Sequence, residues 1–131
     1  MRMIFATMVV LLIQACSGGG YEKAENAQDA GREFIQASLD GDYKKARYYM
    51  LKDTTNLLLI DQQQRNYQQL SNTEKAQRRE STIRPLSISN LNDSTVIYTY
   101  FNTYNTADTT VMTVVNTRNN WLVDLKTILK H

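Results

Sequence analysis

The chain contains one cysteine, one histidine and one proline in 131 residues. A single Cys excludes an internal disulfide framework, and one Cys with one His excludes a zinc finger or a His-based metal cluster within one chain. No metal site and no cofactor are therefore expected. One Pro and five Gly argue against collagen-like or Pro-rich disorder. Charge of one sign is also scarce: 15 Lys plus Arg face 13 Asp plus Glu, a formal net charge of +2. Such a balance supplies no field to draw nucleic acid, and none is expected as a partner. The longest apolar run, Ile4 to Ile13, spans only about half of a 30 Å hydrocarbon core as a helix. The chain has no Gly-rich phosphate loop and no Ser-His-Asp order.

What is present begins with an address. Arg2 followed by that apolar run has the layout of a cleaved secretory signal, which assigns residues 1–15 to a signal peptide. The run ends in Ile13-Gln14-Ala15-Cys16, which resembles a bacterial lipobox. The resemblance implies a thioether-linked diacylglycerol on Cys16, cleavage before it and acylation of the new amine. Each buried acyl CH₂ contributes about 0.8 kcal/mol, so two or more chains anchor stably. Residues 16–21 then form the lipidated Cys and a tether, whose Ser17-Gly18-Gly19-Gly20 reaches about 14 Å at most. Cleavage removes Arg2 alone among charged residues, leaving 14 basic against 13 acidic and a charge of +1. In the Bacteroidetes-type lipoproteins that the chain resembles, an acidic run just after the Cys favours export to the cell surface. Here the first acid is Glu22, so the expected location is the bacterial cell envelope, lipid-anchored in the outer membrane and facing the periplasm.

Residues 22–131 read as one domain. Over 22–39, Ala27, Ala30, Phe34 and Ala37 follow helical spacing, with Ile35 widening the stripe. Asp40-Gly41 ends this helix, and Asp42 caps a short second one with Tyr43, Ala46, Tyr49 and Met50 on one face. The small residues of the first helix let a neighbour approach closely. Residues 54–80 are helical with an apolar block from Leu57 to Ile60. Ser71-Asn72-Thr73-Glu74 has capping-box spacing and marks a joint between two helices. Lys75, Arg78, Arg79 and Arg84 form a basic cluster, read as a solvated face beside Glu74 and Glu80 or as a phosphate or headgroup contact.

After Ser81 the composition turns to β-branched residues: ten of the fourteen Thr lie there, suiting a pleated surface. Four strands are expected: Ile83–Leu91, Thr95–Tyr104, Thr109–Asn116 and Trp121–Ile128. Turns fall at Asn92-Asp93, Asn105 to Asp108 and Arg118 to Asn120. The second strand places Val96, Tyr98, Tyr100 and Tyr104 opposite Ile97, Thr99, Phe101 and Thr103. The fourth alternates Trp121, Val123 and Leu125 with Leu122, Asp124 and Lys126. Pro85 suits a sheet edge, and short connections favour an antiparallel meander. The expected class is α+β, with N-terminal helices packed on a curved antiparallel four-stranded sheet.

The pattern Ala30 to Phe34, Leu39-Asp40-Gly41-Asp42-Tyr43 to Ala46 and Asn120-Trp121-Leu122-Val123-Asp124-Leu125 resembles the small bacterial lipoproteins of the DUF4878 type, similar in fold to the NTF2-like and cystatin-like superfamily. The likeness covers residues 22–128, with Asn120 where the family usually has Gly. It implies a cone-shaped sheet around a long helix, often with a pocket for a small apolar molecule. Some relatives are isomerases or dehydratases that use Asp, His and Tyr.

Tyr43, Tyr98, Tyr100 and Trp121 are the candidate pocket or interaction residues, or else core aromatics. No catalytic residue is assigned. Strand parity turns Asp124 away from the core, whereas Asp40, Asp42, Asp53, Asp93 and Asp108 fit caps and turns. His131 is the last residue, and termini are commonly loose. The expectation is a non-catalytic, membrane-anchored module that binds an envelope protein or a small apolar ligand. The alternatives are a structural or assembly subunit, including a homodimer through the sheet face, and an NTF2-like isomerase or dehydratase.

Overall fold

A computed structural model describes residues 20–130. The signal segment 1–15, the lipobox Cys16 and His131 lie outside the described residues. Four helices precede four strands: α1 (Ala27–Asp40), α2 (Tyr43–Tyr48), α3 (Thr54–Gln68), α4 (Asn72–Arg79), β1 (Ile83–Asn92), β2 (Thr95–Asn102), β3 (Asn105–Thr117) and β4 (Asn120–Lys130). The strands form one antiparallel, unclosed sheet in the order β1-β2-β3-β4. The architecture is α+β.

Helix ends follow local chemistry. The Asn26 side chain accepts the Asp29 N–H at 2.8 Å, so α1 starts at Ala27 rather than at residue 22 as periodicity alone suggested. At the far end Gly41 has φ 75°, and the Asp42 N–H donates to the Ala37 carbonyl at 2.9 Å, closing a Schellman turn. Asp42 and Asp53 cap α2 and α3. Ser71 and Glu74 satisfy each other's backbone N–H groups in a capping box.

α1 lies on the sheet because its contact stripe is nearly flat. Ala27, Ala30 and Gly31 are buried, and a Cβ at Gly31 would come within 3.1 Å of the Met112 methyl and 3.7 Å of the Tyr98 ring. The sheet face beneath carries Val96, Tyr98 and Tyr100 from β2, Met112 and Val114 from β3, and Val123 and Leu125 from β4, all buried. Alternate residues Ile97, Thr99, Phe101, Val111, Thr113, Val115 and Leu122 are half-buried on the opposite face. Of the apolar block in α3, Ile60 alone is buried, and Leu57 and Leu58 are exposed.

β4 would be an open edge, but the chain following α2 covers it. The Leu51 N–H donates to the Val123 carbonyl and the Val123 N–H to the Tyr49 carbonyl, both at 2.8 Å. Beside them Asn56 is fully buried: its Nδ2 donates to Asp124 Oδ1 at 3.2 Å, and its Oδ1 accepts the Leu125 N–H at 2.8 Å. Asp124 therefore points away from the core, as parity required, yet is held against α3 with only 14% of its side chain exposed. Lys126 bridges Asp124 at 3.0 Å and pairs with Asp53.

All three hairpins turn on two residues, Asp93-Ser94, Thr103-Tyr104 and Arg118-Asn119. Arg118 and Asn119 have φ 53° and 61°, the positive pair that a type I′ turn demands. The expected turn from Asn105 to Asp108 is instead strand, because Asn102 pairs with Asn105 and closes the hairpin at Thr103-Tyr104.

Tyr21, at the end of the expected tether, packs on Tyr48 with ring centroids 5.4 Å apart. Nearby, Tyr49 donates its hydroxyl to the Glu22 carbonyl at 2.7 Å. Burial, with the negative field of Glu33 second, pushes the Tyr49 phenol up to about 12. The folded state thus favours neutral Tyr49, and this contribution is complete below the ordinary value of 10 and is lost as pH rises through about 12. The urea midpoint is expected to stay level from neutral pH to about 10 and then to fall, less steeply in Tyr49→Phe. An identical alkaline slope in the two proteins would remove Tyr49 from the account.

Candidate functional site

One end of the α1–sheet interface does not close. α1 ends at Asp40 and the chain reverses at Gly41, so the sheet beyond its C-terminus is covered only by α3 and α4 at a distance. The result is a cleft of about 280 Å³. This lies near the lower end of small-molecule sites, roughly 300–1,000 Å³. Its floor is Phe34, Ile35 and Leu39 of α1 with Tyr100 of β2. Tyr43 and Tyr67 form one wall; Arg78, Tyr104 and the β3 residues Asn105, Asp108 and Thr110 form the other.

Each wall is held by identifiable contacts. Tyr43 donates to the Gln63 carbonyl at 3.4 Å, and its ring meets Tyr67 edge-on with centroids 5.8 Å apart. Tyr67 stands where a side chain at residue 41 would go, because a Cβ there would fall on its ring. Gly41 therefore serves both the left-handed turn and the wall. Gly41→Ala should cost about 1–2 kcal/mol through backbone strain alone and should displace Tyr67. A chemical-denaturation midpoint equal to that of the parent would contradict this.

The opposite wall depends on Ser81, just past α4. Its Oγ accepts the Tyr104 N–H at 3.1 Å and lies 3.3 Å from Thr103 Oγ1, which in turn accepts the Thr82 N–H at 2.8 Å. These bonds fix the β2–β3 turn against the end of α4. They bring the Arg78 guanidinium to 5.1 Å from the Tyr104 ring centroid, a cation–π distance. Lys75 stands similarly over Tyr67, at 5.3 Å.

The chemistry available is hydrogen bonding and ring contact. Burial raises the Tyr100 phenol far above its ordinary range, against a hydrogen bond with Thr110 that lowers it. Burial also raises Tyr43, opposed first by the positive field of Arg78. Both phenols therefore stay protonated at neutral pH and can donate a hydrogen bond into the cleft. Asn102 contributes an unusual atom: its Oδ1 is buried without a hydrogen-bond partner among the described residues. Among the described residues no three His, Cys, Asp or Glu gather as a metal site, and no helix is long and apolar enough to cross a membrane.

Of the four aromatics singled out in the sequence, Tyr43 and Tyr100 line the cleft together. Tyr98 lies beside Tyr100, ring centroids 5.7 Å apart, but is sealed under α1 with 1% exposure. Trp121 is at the other end of the sheet, half-buried beside Val96 and Ala27. Periodicity did not reveal Tyr67, Asn102 or Tyr104 as wall residues. Asp108, expected in a turn, enters because β3 begins at Asn105. Arg78 did carry a signal, as one member of the basic cluster, although nothing local separated it from Arg79.

Comparison of the chain with protein-family models, with curated proteins and with solved structures gave no match.

Proposed function

We propose that the chain is a non-catalytic, membrane-anchored lipoprotein of the bacterial cell envelope that binds a small molecule in the α3/α4 cleft, with an architecture akin to the NTF2-like and cystatin-like folds. The observation that carries the binding reading is the cleft itself. Four tyrosines and one arginine surround a recess. Support for the anchor comes from Ile13-Gln14-Ala15-Cys16 at the end of the apolar run.

Native mass spectrometry of the protein purified from its own cells, without denaturation, tests the binding reading. The expected spectrum has an added mass of a few hundred daltons that survives gentle activation and disappears in Tyr104→Ala. A bare protein would count against a tightly held ligand. The anchor has its own test: Cys16→Ala should abolish acyl labelling and leave the membrane fraction, and labelling that persists would refute it. A second reading, an assembly subunit, draws on the half-buried aliphatic and aromatic residues of the outer sheet face. It requires the same spectrum to show a dimer.

A further inference from the structure

We infer that the domain rests on the bilayer holding its anchor through the end of the sheet where Ile88, Leu91 and Trp121 lie, and that the cleft opens away from that membrane. The inference rests on the lipoprotein reading above and deepens it by naming the surface that the lipid bilayer meets.

The tether sets the geometry. Ser17-Gly18-Gly19-Gly20 separates Cys16 from Tyr21, a reach of about 14 Å at most. Tyr21 is already fixed to the domain, its ring on Tyr48 with centroids 5.4 Å apart. The next residue is held too: the Glu22 carbonyl accepts the Tyr49 hydroxyl at 2.7 Å. The Tyr49 carbonyl in turn accepts the Val123 N–H at 2.8 Å, two residues along β4 from Trp121. From Tyr21 the chain runs to Asn26 and Ala27, which share a groove with Ile88, Val96 and Trp121. The tethered stretch therefore joins the domain where α1 and β4 begin.

Two of the three hairpin turns, Asp93-Ser94 and Arg118-Asn119, share this end, and the Asn116 N–H donates to the Ser94 carbonyl between them at 2.8 Å. The third turn, Thr103-Tyr104, closes the opposite end of the sheet and supplies a cleft wall. Along β2, Thr95 to Asn102 spans roughly 24 Å at about 3.4 Å per residue. That exceeds the reach of the tether. So short an anchor brings the start of α1 to the bilayer and leaves the Tyr104 end facing out.

The chemistry of the anchored end agrees. Leu91 is 64% and Ile88 43% exposed, and Trp121 is half-buried beside them. Leu91 is the extra residue of a β-bulge, since Asn90 and Asn92 pair with the consecutive residues Val96 and Thr95. A bulge re-aims its side chain. No residue from 85 to 92 is charged, and in the adjoining turns Asp93 and Arg118 offset each other. Exposed leucine and isoleucine among neutral amides, with Trp121, Tyr21 and Tyr48 near, form a surface that the boundary between headgroups and acyl chains accepts.

The test reads the emission of Trp121, the single tryptophan of the chain. The full lipoprotein is reconstituted into phosphatidylcholine vesicles in which part of the lipid carries a nitroxide on its headgroup. Emission is expected to fall relative to vesicles without the nitroxide. Leu91→Glu changes an exposed side chain and should restore most of it, whereas Leu58→Glu, at an exposed leucine of α3, should not. Tyr104→Trp in a Trp121→Phe protein reports the cleft end and should keep its emission. If that double variant does not fold, the two glutamate variants decide. Unquenched Trp121 in protein that floats with the vesicles, or stronger quenching at residue 104, would overturn the orientation and leave the anchor standing. Recovery in Leu58→Glu but not in Leu91→Glu would overturn it as well, by placing α3 on the bilayer. A protein that takes no acyl label and does not float would remove the lipoprotein reading and the inference together.

Discussion

Tyr98→Ala should destabilise the protein by about 3–5 kcal/mol, the range for removing a large aromatic from a packed core. Tyr98 is 1% exposed and sits on β2 between Ile88 of β1 and Met112 of β3. α1 presses on it at Gly31, whose missing Cβ would stand 3.7 Å from the ring. Truncation thus empties the space under the helix. Collapse is hindered, because α1 already rests on the Met112 methyl, 3.1 Å from the position of that Cβ. Tyr98→Phe keeps the packing and separates ring from hydroxyl. The urea midpoint should fall sharply for the alanine variant and little for the phenylalanine one, with the slope unchanged in both. A loss below about 1 kcal/mol for Tyr98→Ala, ordinary for a random substitution, would mean that the helix does not depend on this ring.

The second large effect concerns a polar residue. Asn56→Leu should cost about 3 kcal/mol, although leucine is apolar, similar in size and entering a fully buried position. The cost comes from the partners left behind. Asn56 is 0% exposed, and its amide satisfies both the Leu125 N–H and Asp124 Oδ1. Leucine removes both bonds and leaves a backbone donor dry, and each stranded polar group costs about 1–3 kcal/mol. Asp124 retains Lys126, at 3.0 Å from Nζ and 3.1 Å from N–H, so the main loss falls on Leu125. Hydrogen exchange at the Leu125 amide should rise with the drop in stability. Unchanged protection there, with stability within about 0.5 kcal/mol of the parent, would show that water or another group replaces Asn56.

The two variants probe different kinds of information. Tyr98 was legible: alternation along β2 put it on one face with Val96 and Tyr100, and all three are buried. Asn56 was not. It falls in the first turn of α3 beside an apolar block, and nothing nearby announces that its partners lie in β4, 68 and 69 residues away. Trp121 shows the limit from the other side. Its parity with Val123 and Leu125 is right, yet it is half-buried because it stands near the start of β4, at the very N-terminal end of α1 beside Ala27.

The cleft divides in the same way. Tyr43 and Tyr100 were picked out by residue type, and the structure sets them in one recess. Tyr104, Asn102 and Asp108 join them because a two-residue turn extends β3 to Asn105 and because Ser81 binds that turn to the end of α4, and Tyr67 joins from α3 by packing on Tyr43 over Gly41. Such contacts join residues far apart in the chain, so no periodicity records them.

Local rules fixed the caps, the joint at Ser71, the strand alternation and the meander, since each depends on residues within a few positions of one another. Only the tertiary structure decided where the helical layer ends short of the sheet. That gap depends on the length of α1, halted at Gly41, against the width of the sheet it covers, and it is there that the tyrosines and Arg78 meet.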